Sequence, residues 1–270
     1  MRENPAPSAH PRLVLLHGFT QSAASWRPVT SRLEKRGFSC TTPDLPGHGG
    51  ASAVPEGLDL QGAAALLAGP GGPLRHDGEG RDVVAGYSMG GRLALHLALY
   101  APDLVGGLVL VSATGGIDDA AERAKRLHDD AVLADRIAGG GETGLGEFVD
   151  EWLSRPLFEG LTAAAAGREE RLRNSSGGLA ASLRALGTGS QEPLWSRLGE
   201  LSMPVLVLAG ERDEKFLALG RRLAAVIGTN AAFMSVPGAG HALCFERPGR
   251  FAEIVADFTD GTAPQQGSGG

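Results

Sequence analysis

The stretch Gly86-Tyr87-Ser88-Met89-Gly90 decides the fold. It follows the apolar run Asp82-Val83-Val84-Ala85 and precedes a helical pattern from Arg92 to Leu99. A Gly-x-Ser-x-Gly motif between a strand and a helix is the context of a nucleophile elbow, in which a tight turn exposes the serine Oγ at the edge of a sheet. For the motif alone, an ordinary glycine-rich turn is the alternative. The flanking patterns favour a catalytic Ser88.

The composition excludes several classes of protein. The chain has 270 residues, of which 42% are hydrophobic, and a formal net charge of −6 at pH 7. This acidic balance disfavours nucleic acid as a partner. The longest apolar run, Leu108–Val111, is far shorter than a membrane span, and residues 1–11 lack the apolar core of a signal peptide. Cys40 and Cys244 have no metal-ligand spacing. We expect a cytoplasmic monomer that binds neither nucleic acid, membrane nor metal.

Strand-like and helical segments alternate along most of the chain. Several apolar runs are continuous, as in parallel strands that are covered on both faces. The alternation predicts an α/β fold with a mostly parallel, doubly wound sheet. The predicted strands are Leu13–Leu16, Phe38–Thr42, Val83–Ala85, Leu108–Val111, Val205–Leu208 and Phe233–Val236. The predicted helices between them are Trp26–Arg36, Arg92–Tyr100, Phe216–Ile227 and Phe251–Phe258.

One long segment breaks this alternation. Residues 117–196 carry no convincing strand, and their helical patterns span Ala120–Ile137, Leu145–Ser154, Leu161–Leu172 and Leu179–Leu186. An all-helical insert between two core strands is predicted to be a cap over the carboxyl edge of the sheet, where ligands bind in such folds. The predicted domains are a core of residues 1–116 and 197–260, a helical cap of residues 117–196 and a disordered tail of residues 261–270.

A serine hydroxyl needs a histidine to activate it, and the histidine needs a carboxylate to orient it. After a nucleophile elbow, the acid and then the histidine follow along the chain. Asp213 comes just after the fifth predicted strand, and His241 lies in a glycine-rich loop before the last predicted helix. We therefore predict a triad of Ser88, Asp213 and His241. Glu211 is the alternative acid.

An oxyanion hole requires two backbone N–H groups that point at one position. Met89, directly after the serine, is predicted to supply one of them, and Phe19, in the loop after the first strand, the other. His17 in the same loop and His48 in the turn Asp44-Leu45-Pro46-Gly47-His48-Gly49 are predicted to be structural residues.

Together these features resemble the α/β-hydrolase superfamily over nearly the whole chain. Further stretches resemble one family within it, the 2-succinyl-6-hydroxy-2,4-cyclohexadiene-1-carboxylate synthases of menaquinone biosynthesis. They are Asp44–Gly50, Gly86–Arg92, Ala121–Arg126 and the segments around Trp152 and Arg173. Agreement in both the core and the cap is more specific than the elbow, because caps vary freely between hydrolases.

The resemblance implies a substrate with three carboxylates, which arginine binds in bidentate fashion. The residues that it assigns to carboxylate binding are Arg92, Arg126 and Arg173, with Arg123 as a further candidate. Arg92 stands one helical turn after Ser88, on the same face. For Arg123 and Arg126, pairing with neighbouring acidic residues at the surface is the alternative, because the cap as a whole is not basic.

The resemblance also implies an elimination. The serine, activated by the triad, removes a ring proton, pyruvate leaves, and the oxyanion-hole donors stabilise the developing charge, without a metal or an organic cofactor. Trp152 and Tyr87 shape the pocket. The alternative is a serine hydrolase that acts on an ester or a carbon–carbon bond of a small carboxylated substrate through an acyl-enzyme. A non-catalytic receptor on the same scaffold is disfavoured by a complete triad.

Overall fold

A sheet of six parallel strands runs through the centre of the fold. The computed structural model describes residues 10–76 and 80–261. The strands are β1 (Leu13–Leu16), β2 (Cys40–Thr41), β3 (Asp82–Tyr87), β4 (Val105–Val111), β5 (Val205–Gly210) and β6 (Ala231–Val236). Their order across the sheet is β2-β1-β3-β4-β5-β6, and every neighbouring pair is parallel. The predicted doubly wound parallel sheet is confirmed.

Both faces of the sheet are buried, which explains the continuous apolar runs in the sequence. In β1, Val14 and Leu16 pack into one apolar cluster, whereas Leu13 and Leu15 pack into another. Successive side chains of a strand point to opposite faces, so every strand except the two-residue β2 contributes to both clusters.

Ten α-helices surround the sheet in the described part of the chain. They are α1 (Arg27–Glu34), α2 (Leu60–Ala68), α3 (Met89–Tyr100), α4 (Ala120–Leu153), α5 (Ala163–Ala166), α6 (Arg168–Arg171), α7 (Ser176–Leu186), α8 (Glu214–Ile227), α9 (Leu243–Glu246) and α10 (Pro248–Thr259). Short 3-10 helices span Ala23–Trp26, Pro102–Leu104, Pro156–Phe158 and Trp195–Glu200. The sequence pattern did not single out α2, whose sequence LQGAAALLA has almost no polar face to mark a helical period.

Helices α4 to α7, which we call the helical insert, lie between β4 and β5. The two helices predicted over Ala120–Ile137 and Leu145–Ser154 form one bent run, because Gly141 adopts a φ of 55° inside α4. The insert has an apolar cluster of its own, in which Phe148 and Val149 of α4 pack with Leu179 of α7. Its division from the core as a separate domain remains a prediction.

No helix in residues 10–76 and 80–261 is long and apolar enough to cross a membrane. The predicted disordered tail falls almost entirely on residues 262–270, which lie outside the described residues.

Candidate active site

Ser88 occupies the tight turn between β3 and α3 in a conformation that few non-glycine residues adopt, with φ 52° and ψ −107°. Its backbone N–H donates to the Val111 carbonyl of β4 at 2.9 Å, which holds the turn against the sheet. The two glycines that flank the turn, Gly86 and Gly90, leave no space for a side chain. A Cβ at Gly86 would lie 2.3 Å from the Gly90 oxygen, and one at Gly90 would lie 2.2 Å from the Leu16 oxygen.

The structure brings the three residues of the predicted triad together. His241 Nε2 lies 3.3 Å from Ser88 Oγ, and His241 Nδ1 lies 2.7 Å from Asp213 Oδ2. The other carboxylate oxygen of Asp213 accepts the Phe216 N–H at 3.3 Å and caps α8. The imidazole of His241 is almost fully buried, at 3% exposure. The acid is thus fixed on both oxygens, and one of them faces the histidine.

Glu211, the alternative acid, has a different contact. Its Oε2 accepts the backbone N–H of Gly238 at 2.8 Å, so it holds the loop that precedes His241. Asp213 is the acid at the histidine, and Glu211 supports the loop.

Two further residues, which the motifs did not single out, position His241. Ser112, at the end of β4 with φ 48°, donates its hydroxyl to the His241 carbonyl at 2.8 Å. Glu246 Oε2 accepts both the Gly240 N–H at 2.9 Å and Arg212 Nη2 at 3.0 Å. Gly240 precedes His241 and Arg212 precedes Asp213, so one buried carboxylate joins the two loops.

The loop after β1 presents Phe19 to the same cavity as Ser88 and Met89. Met89 is the first residue of α3, where a backbone N–H has no acceptor within the helix. Two buried histidines hold this loop from behind. The Leu45 N–H donates to His17 Nε2 at 3.0 Å, and the Thr20 N–H donates to His48 Nε2 at 3.2 Å.

Burial lowers the pKa of His17 to about 4 and that of His48 to about 3, since a charged imidazole would lose its hydration. Each neutral ring accepts at Nε2 and therefore carries its proton at Nδ1. That proton is donated to the Gly18 carbonyl by His17 and to the Pro46 carbonyl by His48. Their contacts fit the predicted structural role.

Two adjoining cavities open at Ser88, one of about 400 Å³, the larger lobe, and one of about 200 Å³, the smaller lobe. The helical insert and the segments that follow the strands at the carboxyl edge of the sheet both contribute to their walls. The side chains that line both lobes are Ser88, Arg92, Arg126, Thr188, Lys215 and Phe216. Three of these six are cations and none is a carboxylate, so the shared wall favours an anionic ligand.

Arg92 and Arg126 line both lobes, as predicted for residues near Ser88. Arg92 is buried and donates to the carbonyls of Leu186 and Gly187 at the end of α7. Burial lowers its pKa to about 10, which leaves the guanidinium charged at neutral pH. Arg126 donates to Asp130 at 2.8 Å and to Thr188 at 3.3 Å. Arg126 therefore pairs with an acidic neighbour, Asp130, and also reaches both cavities.

Arg173 is not brought to Ser88. Its side chain is 69% exposed, pairs with Glu170 at 3.1 Å and lines a separate surface depression. Arg171 points inward instead. It is 3% exposed and donates to the Phe19 carbonyl and the Thr20 hydroxyl. Among the described residues no carboxylate pairs with it, and burial lowers its pKa to about 10.

Arg123 also stays outside the two lobes. Its guanidinium donates to the carbonyl of Ile117 at 3.0 Å, which fixes the chain before α4. Its contacts are those of a residue that shapes the start of the insert, so the structure gives it no place at a substrate.

The two predicted aromatic residues lie close to the site. Trp152 lines the smaller lobe and meets the Phe19 ring edge to face, with centroids 5.3 Å apart. Its buried indole N–H has no acceptor among the described residues. Tyr87 is buried behind the histidine, 5.5 Å from the His241 ring, and burial raises its pKa well above the usual range. Gly18 makes room for it, since a Cβ there would lie 2.7 Å from the Tyr87 ring.

Comparison with known proteins gives a consistent picture. A family model described as the alpha/beta hydrolase family matches residues 13–254. A Bacillus subtilis (strain 168) protein, provisionally named as a 2-succinyl-6-hydroxy-2,4-cyclohexadiene-1-carboxylate synthase, is 38% identical over 93% of this chain and 91% of its own length. The synthase of that name from Salmonella newport (strain SL254) is 32% identical over 94% of this chain and 96% of its own.

A solved structure agrees with these sequence relatives. The structure of MenH from S. aureus matches with a TM-score of 0.84 at 28% identity, and the match covers 96% of this chain and 97% of that one. Coverage of this extent includes the helical insert as well as the sheet.

Proposed function

The chain belongs to the alpha/beta hydrolase family, and on that premise we propose that it is a 2-succinyl-6-hydroxy-2,4-cyclohexadiene-1-carboxylate synthase. Its substrate is 2-succinyl-5-enolpyruvyl-6-hydroxy-3-cyclohexene-1-carboxylate, from which it eliminates pyruvate. The observation that carries the proposal is the 38% identity, over 93% of the chain, to a relative of that name. The wall of cations around Ser88 supports it, because this substrate carries three carboxylates.

The triad supplies the base. His241 Nε2 takes the proton of Ser88 Oγ, and Asp213 holds the imidazole in the required tautomer and stabilises its charge. The serine oxygen removes the ring proton next to the succinyl carbonyl. The electron pair moves onto the carbonyl oxygen, where the N–H groups of Phe19 and Met89 stabilise the developing charge.

The leaving group departs when this electron pair returns to the ring. The ring double bond shifts, the second double bond of the diene forms, and the bond between C5 and the enolpyruvyl oxygen breaks. The ring proton stays on Ser88 Oγ, and His241 gives the proton that it took from Ser88 to the departing enolpyruvate, which tautomerises to pyruvate. No water is consumed and no acyl-enzyme forms, which separates this reaction from hydrolysis on the same triad.

Arg92 and Arg126, which line both lobes, bind substrate carboxylates. Arg173 faces solvent, and Arg171, the buried guanidinium beside the Phe19 loop, lines neither lobe but holds that loop in place. Trp152 and Tyr87 shape the pocket. The cytoplasmic location and the monomeric state expected from the sequence belong to this proposal.

The test is release of pyruvate from the enolpyruvyl-cyclohexene substrate, coupled to lactate dehydrogenase, beside a p-nitrophenyl ester. We expect rapid pyruvate release and negligible ester cleavage, with turnover reduced at least a thousandfold in Ser88→Ala while substrate still binds. Ester cleavage with a Ser88-dependent burst and no pyruvate would assign the triad to a hydrolase instead.

A further inference from the structure

Lys215 is a cation at the active site whose donors are not engaged by the protein. It lies near the start of α8, two residues after Asp213, and lines both the larger and the smaller lobe. Within residues 10–76 and 80–261, its ammonium forms no hydrogen bond or ion pair, and Nζ lies 5.9 Å from the centroid of the Phe216 ring. An ammonium has three N–H donors, and all three are available here to a ligand.

The two other cations of the shared wall are already engaged. Arg92 donates to two carbonyls at the end of α7, and Arg126 is paired with Asp130. Each keeps some N–H groups for a ligand, but part of its charge is offset by the groups that hold it. Lys215 has its full charge to offer.

The distribution of carboxylates favours an anion beside Lys215. Asp118, Asp119 and Glu122 line only the larger lobe, and no acidic side chain in the described part of the chain lines the smaller one. A carboxylate at the junction of the lobes therefore meets three cations, and the acidic residues that line the cavities all belong to the larger lobe.

The position of Lys215 relative to the chemistry adds a second argument. The next residue, Phe216, packs its ring 4.6 Å from the imidazole of His241. The Phe216 ring is thus near both the ammonium and the catalytic histidine. A ligand that reaches Ser88 through the junction of the lobes passes along this side chain.

We infer that Lys215 binds a carboxylate of the substrate at the junction of the two lobes, an assignment that rests on the proposed function. An exposed lysine is commonly just a solvated surface residue. Lys215 differs because it belongs to the walls of both cavities at Ser88. A substrate with three carboxylates uses Lys215 beside the arginines.

The chain offers matched controls, because it has only three lysines, Lys35, Lys125 and Lys215. Lys125 is 76% exposed and pairs with Asp129 on α4. We expect Lys215→Gln to raise the KM for the enolpyruvyl substrate about tenfold with kcat within threefold. Lys125→Gln should leave both constants unchanged, and Lys215→Arg should keep KM within threefold, since charge is retained. Added salt should raise the KM of the wild type more than that of Lys215→Gln.

A second measurement needs no turnover. Amine acylation of the wild-type protein with and without succinate, read by mass spectrometry, should show protection of Lys215 but not of Lys35 or Lys125. The assignment would be overturned by a Lys215→Gln enzyme whose KM and kcat match those of Lys125→Gln. It would also be overturned if succinate left the acylation of Lys215 unchanged. Protection of Lys215 in a protein that releases no pyruvate would support the carboxylate site and reject the proposed function.

Discussion

Arg171 and Arg173 are two residues apart but lie in different environments. A helix turns by about 100° per residue, so side chains two positions apart point in nearly opposite directions. Arg171 closes α6 with its side chain toward the Phe19 loop, whereas Arg173, just beyond the helix, faces solvent beside Glu170. The phase of one short helix thus selects which arginine can serve the active site.

Substitution of each arginine tests this choice. We expect Arg171→Gln to lower kcat/KM for pyruvate release about a hundredfold, because the charged donors that hold the Phe19 loop, and with it an oxyanion-hole N–H, are lost. Arg173→Gln should change kcat/KM less than twofold. Thermal unfolding of both variants controls for the packing that Arg171 provides. The reverse ranking in two folded variants would return the role to Arg173.

The buried histidines predict how stability depends on pH. In the folded protein the pKa values of His17 and His48 are about 4 and about 3, below the unfolded value of 6.5. Below pH 6.5 the unfolded chain therefore binds protons that the folded protein does not. Stability is complete above about pH 6.5 and falls as the pH drops toward 4, by about 1.4 kcal/mol per pH unit for each histidine.

Urea unfolding between pH 7.5 and pH 4.5 measures this slope. We expect His48→Gln to reduce the slope, because one of the depressed groups is gone while an amide oxygen can still accept the Thr20 N–H. An unchanged slope in that variant would mean that other groups, such as the partly buried His96 with its pKa of about 4, set the acid sensitivity.

At the scale of single elements, the elbow depends on how closely α3 approaches β1. Gly90 lies in the first turn of α3, where an added Cβ would be 2.2 Å from the Leu16 oxygen, and a backbone oxygen cannot easily yield. Gly139 in α4, by contrast, has room for a side chain, because a Cβ there would meet nothing within 4 Å.

The same substitution at these two glycines should have opposite effects. Gly90→Ala should destabilise the protein by about 2 kcal/mol or more and abolish pyruvate release, since β1 and α3 must separate. Gly139→Ala should stabilise it by about 0.5–1 kcal/mol, because alanine favours the helix and meets no neighbour. Chemical unfolding measures both, and a well-folded, active Gly90→Ala protein would show that the elbow is less tight than the structure indicates.

At the scale of the whole molecule, Glu246 joins three parts of the chain that are far apart in sequence. It holds the Asp213 loop through Arg212 and the His241 loop through Gly240. The insert reaches the same place: a Cβ on Gly160 would lie 2.2 Å from Glu246 Oε2. Core and insert therefore meet at the carboxylate that orients the triad loops.

Loss of this carboxylate should reduce turnover rather than binding. We expect Glu246→Gln to lower kcat for pyruvate release about tenfold with KM within twofold, because the charged hydrogen bond to Arg212 is lost and both loops gain freedom. Glu253→Gln, which removes an exposed partner of Arg250, is the control. Equal kinetics in the two variants would show that the triad loops hold their positions without Glu246.

The sequence by itself determined the fold and the residues of the triad that the structure brings together. Continuous apolar runs predict buried parallel strands because strand periodicity is local, and Gly-x-Ser-x-Gly predicts the elbow because only glycine tolerates so tight a turn. Ser88, Asp213 and His241 come together because the parallel strands that precede them all end at one edge of the sheet.

Only the tertiary structure decided which charged side chains reach that edge. It places Arg171 rather than Arg173 beside the Phe19 loop, and Lys215 in the wall of both lobes. In the insert, α4 is bent at Gly141 and α5 and α6 have four residues each, so the sequence pattern there does not mark one face. Which polar residues face the sheet depends on contacts between segments far apart in the chain. No local sequence pattern records such contacts.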